Sequence, residues 1–250
     1  MPRAHDDAIC IRQWEWSETS QTVSLFTREH GLVRALAKGS RRPKAPFSGG
    51  LEVLTFGQAG LVIRPNTELA ILGEWDLRET FPGLRASLEQ HYAGLYMAEL
   101  VQHVLTHHDP HPALFSALLE SLRSVGEPSS VRASLLWFQW AALSETGYRP
   151  DVSVPGDQAA SPDGTLGFCP ALGVVQPVEQ ARRAGVHVWP VRSETLGLLS
   201  RLNGELAEVG GLAAPTIIDR AARLLAAYLR WVIGREPRTL QLVFGPDLPV

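Results

Sequence analysis

The stretch WSETSQTVSLFTREHGLVRALAKGSRRPK, residues 16–44, reads as two strands and the turns that bound them. Thr22-Val23-Ser24-Leu25-Phe26-Thr27 alternates, with Val23 and Leu25 on one face, the period of a half-buried strand. Arg28-Glu29-His30-Gly31 supplies a turn, where Gly31 can take the positive φ that hairpins often need. Leu32–Lys38 is the return strand. Val33, Ala35 and Ala37 share one face and Arg34, Leu36 and Lys38 the other. Working outward, Ala8–Trp14 reads as a preceding strand. Leu51–Ile63 and Thr67–Trp75 read as two following ones, separated by the turn residues Arg64-Pro65-Asn66. Five short strands before residue 80 predict a small barrel, with the OB-fold a leading candidate.

From Phe81 onward the period becomes helical. Leu84–His107 places Leu88, Tyr92, Leu95, Tyr96, Leu100 and Val104 at helix spacing, and His111–Val125 and Val131–Thr146 continue the pattern. Residues 149–190 break it with Pro, Gly, Ser and Asp and only short apolar runs, which predicts an irregular insert with one β-hairpin. Helices resume at Glu194–Glu208 and Pro215–Ile233, with Pro215 suited to a first helical position and Gly234 to a stop. The expected organisation is α+β. Residues 1–80 form an N-terminal OB-fold barrel, 81–148 and 191–250 a mostly helical domain, and 149–190 the insert.

The 250 residues carry 23 Lys and Arg against 26 Asp and Glu, a net charge of -3. Against that background, Arg34, Lys38, Arg41, Arg42 and Lys44 cluster in a segment with no Asp or Glu between Glu29 and Glu52. A local patch of this kind attracts polyanions despite the overall charge, because salt screens distant charges beyond ~8–10 Å. No apolar run approaches the ~20 residues of a membrane span. The N-terminal MPRAHDDAIC lacks an apolar signal region. Both features predict a soluble, cytoplasmic protein. Cys10 and Cys169 cannot build a disulfide framework, and Cys10 reads as a small core residue. P-loop, Rossmann and Gly-x-Ser-x-Gly patterns are absent.

Several segments resemble the RecO family of DNA repair and recombination mediators. The most specific is 16–44, where the SETS turn, the FT-E-G hairpin and the AKG-R--K loop occur together. FPGLRASLEQHYAGLYMAELVQHVL (81–105), LFSALLESL (114–122), FQWAALSETGY (138–148) and RAARLLAAYLRWVIGREPR (220–238) follow in family order. The resemblance implies an OB-fold, a helical domain and often a zinc-binding insert. It also implies binding of single- and double-stranded DNA, strand annealing, contacts with RecR and the single-strand-binding protein SSB, help in loading RecA, and no enzymatic step. Zinc-bearing relatives carry two Cys-x-x-Cys pairs. Here those regions read Asp151–Gly156 and GVVQPVEQ, with Gln176 and Glu179 in place of cysteines, and Cys169 lies outside both. A structural zinc site needs about four Cys or His ligands, so a zinc-free insert is expected. Relatives that bind the SSB tail place two arginines where Leu136 and Trp137 stand. Arg132, one helical turn away, is the candidate substitute.

The DNA-binding set expected from these readings is Arg28, Arg34, Lys38, Arg41, Arg42, Lys44 and Phe47. The cations neutralise phosphates and release counterions. Phe47, directly after the basic loop, is the foremost of four base-stacking candidates, the others being Trp14, Trp16 and Phe26; for Phe26 a core role is preferred. A second anionic-ligand surface, for DNA or the SSB tail, would use Arg132, Arg220, Arg223, Arg235 and Arg238. Arg220 and Arg223 share a helix face by spacing, and a solvated face is the plainer reading. The run HVLTHHDPH sets His103 and His107 at i, i+4, which opens the alternative of a metal-dependent hydrolase. It lacks HExxH, and histidine is favourable at a fraying helix C-terminus, so no metal or cofactor is expected. A protein-interaction module with a vestigial OB-fold is the other alternative.

Overall fold

The computed structural model describes residues 4–42, 44–48, 50–64, 67–153, 164–202, 205–246 and 248, with backbone only at 48. The alternating segment around residues 20–38 forms the centre of a meander. Strands β1 (Ala4–Ser17), β2 (Ser20–Thr27) and β3 (Gly31–Ala37) pair antiparallel in sequence order. The chain continues through the basic loop to a two-residue strand β4 (Phe47–Ser48). Strand β5 (Thr55–Val62) lies antiparallel to β1, and β6 (Ala70–Glu79) antiparallel to β5. Parallel pairing of Ala35 and Leu36 with Ala70 and Ile71 joins β3 to β6 and closes the sheet. A five-stranded barrel closed in the order β1-β2-β3-β6-β5 is the OB-fold expected from the sequence.

The faces follow the period of two. Val23, Leu25, Val33, Ala35 and Ala37 point into the barrel with Ala8, Cys10, Leu61, Leu72 and Trp75. Burial pushes the Cys10 thiol up to about 12, so this cysteine is a neutral core filler. One irregularity matters for function. The β1–β2 register shifts between Cys10 and Arg12. Cys10 is opposite Leu25, but beyond the bulge Arg12 is opposite Ser24 and Trp14 opposite Thr22. The extra residue swaps the faces of β1, so Arg12 and Trp14 emerge on the outside.

The chain divides into two compact units, Met1–Gly126 and Glu127–Val250. Helices α1 (Leu88–Val104) and α2 (Pro112–Ser124) fall within the first of these compact units. Phe115 of α2 meets Phe26 edge-on at 5.5 Å and Phe56 at 6.4 Å, which gives the barrel an apolar outer flank. Gln90, buried near the start of α1, donates to the carbonyls of Val125 and Gly126 just past α2. Its own N–H is capped by Ser87 Oγ. Gly83 and Gly126 allow the backbones to touch: a Cβ on Gly83 would lie 2.3 Å from Gly126 Cα.

The second unit begins with α3 (Val131–Glu145), which packs on α7 (Pro215–Ile233). Helix α7 starts with Pro215 and stops at Gly234, which adopts φ 72°, as the sequence signals. Residues 164–192 carry more regular structure than the one hairpin expected. Strands β7 (Thr165–Cys169), β8 (Val174–Gln176) and β9 (Trp189–Arg192) form an antiparallel sheet in the order β8-β7-β9, with α4 (Val178–Arg183) between β8 and β9 in the chain. Phe168 meets Tyr228 of α7 edge-on at 5.1 Å, seating the sheet on that helix. Asp151 accepts hydrogen bonds from the Ser153 hydroxyl and N–H, which hold its carboxyl below the ordinary value. Residues 154–156 of the first substituted Cys-pair region lie outside the described residues. The helix expected over 194–208 is two, α5 (Ser193–Leu199) and α6 (Leu206–Leu212), and a short α8 (Leu240–Phe244) follows α7.

Candidate nucleic-acid interface

Arg34 and Lys38 alternate outward along β3 and its end, as the pattern requires, and both are exposed. The loop after β3 is shaped by its backbone. Gly39 N–H donates to Ser20 Oγ at 3.0 Å, Arg41 N–H to Thr19 O at 3.1 Å, Arg42 N–H to Gly39 O at 3.0 Å and Ala45 N–H to Arg42 O at 3.0 Å. This fastens the loop to the β1–β2 turn while Arg41, Arg42 and Lys44 stay exposed. Lys38, Arg42 and Lys44 have no side-chain hydrogen bond or ion pair among the described residues. Arg41 does: both its terminal nitrogens donate to Glu15 Oε1 at 3.2 Å. The acid-free run of sequence thus meets a carboxylate in space, brought there by strand β1.

Two members of the expected set take other roles. Arg28 sits at the opposite end of β3 from the loop. It donates to Ser116 Oγ at 3.1 Å, stands 4.0 Å from the Asp7 carboxylate, and lies over the Phe115 ring at 4.7 Å. It clamps the hairpin to α2 and does not extend the loop's basic surface. Phe47 is 8% exposed and packs in the barrel core, paired through its strand with Trp75, so its ring does not face a base. Phe26 is fully buried, the role preferred for it.

The aromatic that stands among cations on the barrel face is Trp14. It is half-buried, with the Arg12 guanidinium 4.5 Å and the Arg34 guanidinium 5.6 Å from its ring centroid. Arg12, Ser24 and Arg34 form one row across β1, β2 and β3, and Trp14, Thr22 and Leu36 the next. Thr22 and Ser24 are buried in these rows, and the Thr22 hydroxyl has no protein partner. Trp16 is 63% exposed farther along β1. Cations braced on an indole beside a polar sheet face suit an unpaired nucleic-acid strand: guanidiniums meet phosphates and the ring offers a stacking surface. Arg12 escaped the sequence reading because strict alternation puts it on the Cys10 face; only the bulge moves it.

In the second unit, Arg132 and Arg223 serve the fold. Arg132 pairs with Asp219 at 3.3 Å and donates to Val243 O; Arg223 pairs with Asp219 at 2.8 Å and donates to Phe244 O at 2.5 Å. Both lie over the Phe244 ring and satisfy carbonyls of α8. Arg220 turns to Glu194 at 3.6 Å, so the shared face read from its spacing with Arg223 does not act as one. Arg235 and Arg238 follow α7 and are exposed. The histidines of 103–111 also disperse. His103 pairs with Glu99, His107 Nδ1 meets Leu32 O, and His111 pairs with Asp109. Among the described residues no three His, Cys, Asp or Glu side chains gather as a metal would require. No described helix is long and apolar enough to cross a membrane.

The first unit is thus a closed OB-like barrel with cations and an aromatic ring on its outer face, and the second unit is mostly helical. Residues 1–81 match the family described as Recombination protein O N terminal, and residues 85–241 the one described as Recombination protein O C terminal. The chain is 31% identical over 233 residues to the DNA repair protein RecO of Anaeromyxobacter, covering 91% of this chain and 90% of that one. It is 32% identical over 246 residues to that of Symbiobacterium thermophilum (94% and 93%). Over 143 residues it is 38% identical to that of Rhodopirellula baltica (57% and 53%). The chain belongs to the RecO family of DNA repair proteins.

Proposed function

We propose that this protein is a recombination mediator without catalytic activity. It binds single- and double-stranded DNA through the barrel, anneals complementary strands, and acts in the cytoplasm with RecR to help load RecA on SSB-coated DNA. The observation that carries the reading is the assembly of Arg12, Trp14 and Arg34 on one barrel face, with Lys38, Arg42 and Lys44 beyond it and without partners among the described residues. Phosphates on two complementary strands repel; cations that neutralise both lower that barrier, and a stacking ring holds an unpaired base while its partner arrives. The engaged state of Arg132 and Arg223 argues against the SSB tail docking on them. Annealing of SSB-coated complementary strands, with and without RecR and over a salt series, tests the reading. Acceleration that fades as salt rises is expected. A chain that binds RecR but neither binds nor anneals DNA at low salt is an interaction module instead.

A further inference from the structure

At the end of β3 remote from the basic loop, the first unit holds a cleft of about 940 Å³. Its walls are the β2–β3 turn, the chain after β5, and the connection between α1 and α2. Five basic or basic-capable side chains line it: His30, Arg34, Arg64, His107 and His108.

The walls are built to close tolerances. Gly31 has φ 66°, and a Cβ there would fall 2.1 Å from the Asp109 carbonyl oxygen, so the turn and the α1–α2 connection meet backbone to backbone. His108 holds φ 61°, a left-handed conformation unusual for a non-glycine residue, with its N–H donating to Leu32 O at 3.2 Å. The His107 ring is fixed by Nδ1, 3.1 Å from the same carbonyl, which can only accept. The His30 ring is fixed by Nδ1, 2.8 Å from Oδ2 of buried Asp6; that carboxylate also accepts the N–H groups of Glu29 and His30. Two imidazoles are thus anchored through Nδ1, which leaves Nε2 of each as the nitrogen available to a ligand.

We propose that this cleft binds a nucleotide through its phosphate. Arg34 and Arg64 supply the forked donors that phosphate oxygens match, and the imidazoles add stacking faces, with Nε2–H a further donor when the ring is protonated. Ile63 and Pro110 give an apolar wall for a base, and Glu29 and Glu68 can accept from base amino or sugar hydroxyl groups. A bare inorganic anion uses neither the carboxylates nor the apolar wall, and the cleft lies within the roughly 300–1,000 Å³ range of organic-ligand pockets. The nucleotide can come from solution or from the end of a strand, because Arg34 also braces Trp14 on the barrel face. The second source rests on the DNA-binding reading above; the first does not.

Titrating the full chain with dAMP and with deoxyadenosine tests the proposal, alongside 5′-phosphorylated and 5′-hydroxyl oligonucleotides. Binding of dAMP at least tenfold tighter than deoxyadenosine is expected. Arg64→Ala and His108→Asn should each weaken it about tenfold, the scale of one lost charged hydrogen bond. Asn tolerates the left-handed backbone, and Arg64 is exposed, so both variants should keep the wild-type melting temperature. Preference for the 5′-phosphorylated strand, competed by dAMP, assigns the strand end as the source; equal binding of the two strands assigns the free nucleotide. A Lys38/Arg41/Arg42/Lys44→Ala variant that loses DNA but keeps dAMP separates this site from the barrel-face reading. Absence of dAMP binding at millimolar concentration, equal binding of deoxyadenosine, or indifference to both substitutions overturns the proposal.

Discussion

Replacing Lys38, Arg41, Arg42 and Lys44 together by Ala should flatten the salt dependence of single-strand binding. Three of the four, Lys38, Arg42 and Lys44, are exposed and without partners among the described residues, so each is available to one phosphate. Arg41 is engaged with Glu15 and contributes less. For single strands, log K falls with log salt by about 0.7 per phosphate neutralised, so three lost contacts remove about 2 from the slope. Across a fourfold change in salt, the wild type should then lose roughly 20-fold more affinity than the variant. The loop itself should survive, because Gly39, Arg41, Arg42 and Ala45 hold it through backbone N–H groups that Ala retains. Fluorescence anisotropy of a labelled oligonucleotide over a salt series gives both slopes, with circular dichroism as the fold control. A variant with the wild-type slope refutes the assignment of these phosphate contacts.

Other substitutions separate the roles of neighbouring groups. Trp14→Ala should weaken single-strand binding by the ~1–3 kcal/mol of one stacked base while leaving the salt slope intact; a changed slope with unchanged affinity at low salt would count against a stacking role. Glu15→Gln frees Arg41 from an exposed pair worth ~0.2–1 kcal/mol and should raise DNA affinity up to about fivefold in the same titration, whereas a fall would show that the pair positions the loop for binding. Gln90→Ala strips one buried and one part-buried carbonyl of their donor and should cost about 1–3 kcal/mol in urea unfolding, with DNA binding unchanged in the folded fraction.

The barrel was legible because its signal is local. Val23 and Leu25 on one strand, and Val33, Ala35 and Ala37 on the next, announce their face by alternation, and Gly31 marks the turn between them. Helix α7 was legible for the same reason, from Pro215 to Gly234. The insert was harder. Strand β8 is three residues long and β9 four, too short to alternate visibly, and they are held by pairing to β7. Strand β4 has two residues and exists only through its partner β6.

The site shows the same division. Sequence alone determined the outward direction of Arg34 and Lys38, the exposed Gly/Pro-punctuated loop with its cations, and the family to which the chain belongs. Tertiary structure decided which of those cations remain available. Arg41 meets a glutamate from a strand 26 residues earlier in the chain, Arg28 closes on α2, and Arg132 and Arg223 converge on Asp219 and the carbonyls of α8. It also decided which aromatic stands beside the cations: Phe47 turns into the core, and the bulge at Ile11 brings Trp14 and Arg12 out beside Arg34. A strand's alternation is a property of consecutive residues and can be read along the chain. An ion pair, or a change of face caused by one extra residue opposite a partner strand, exists only between segments that folding brings together.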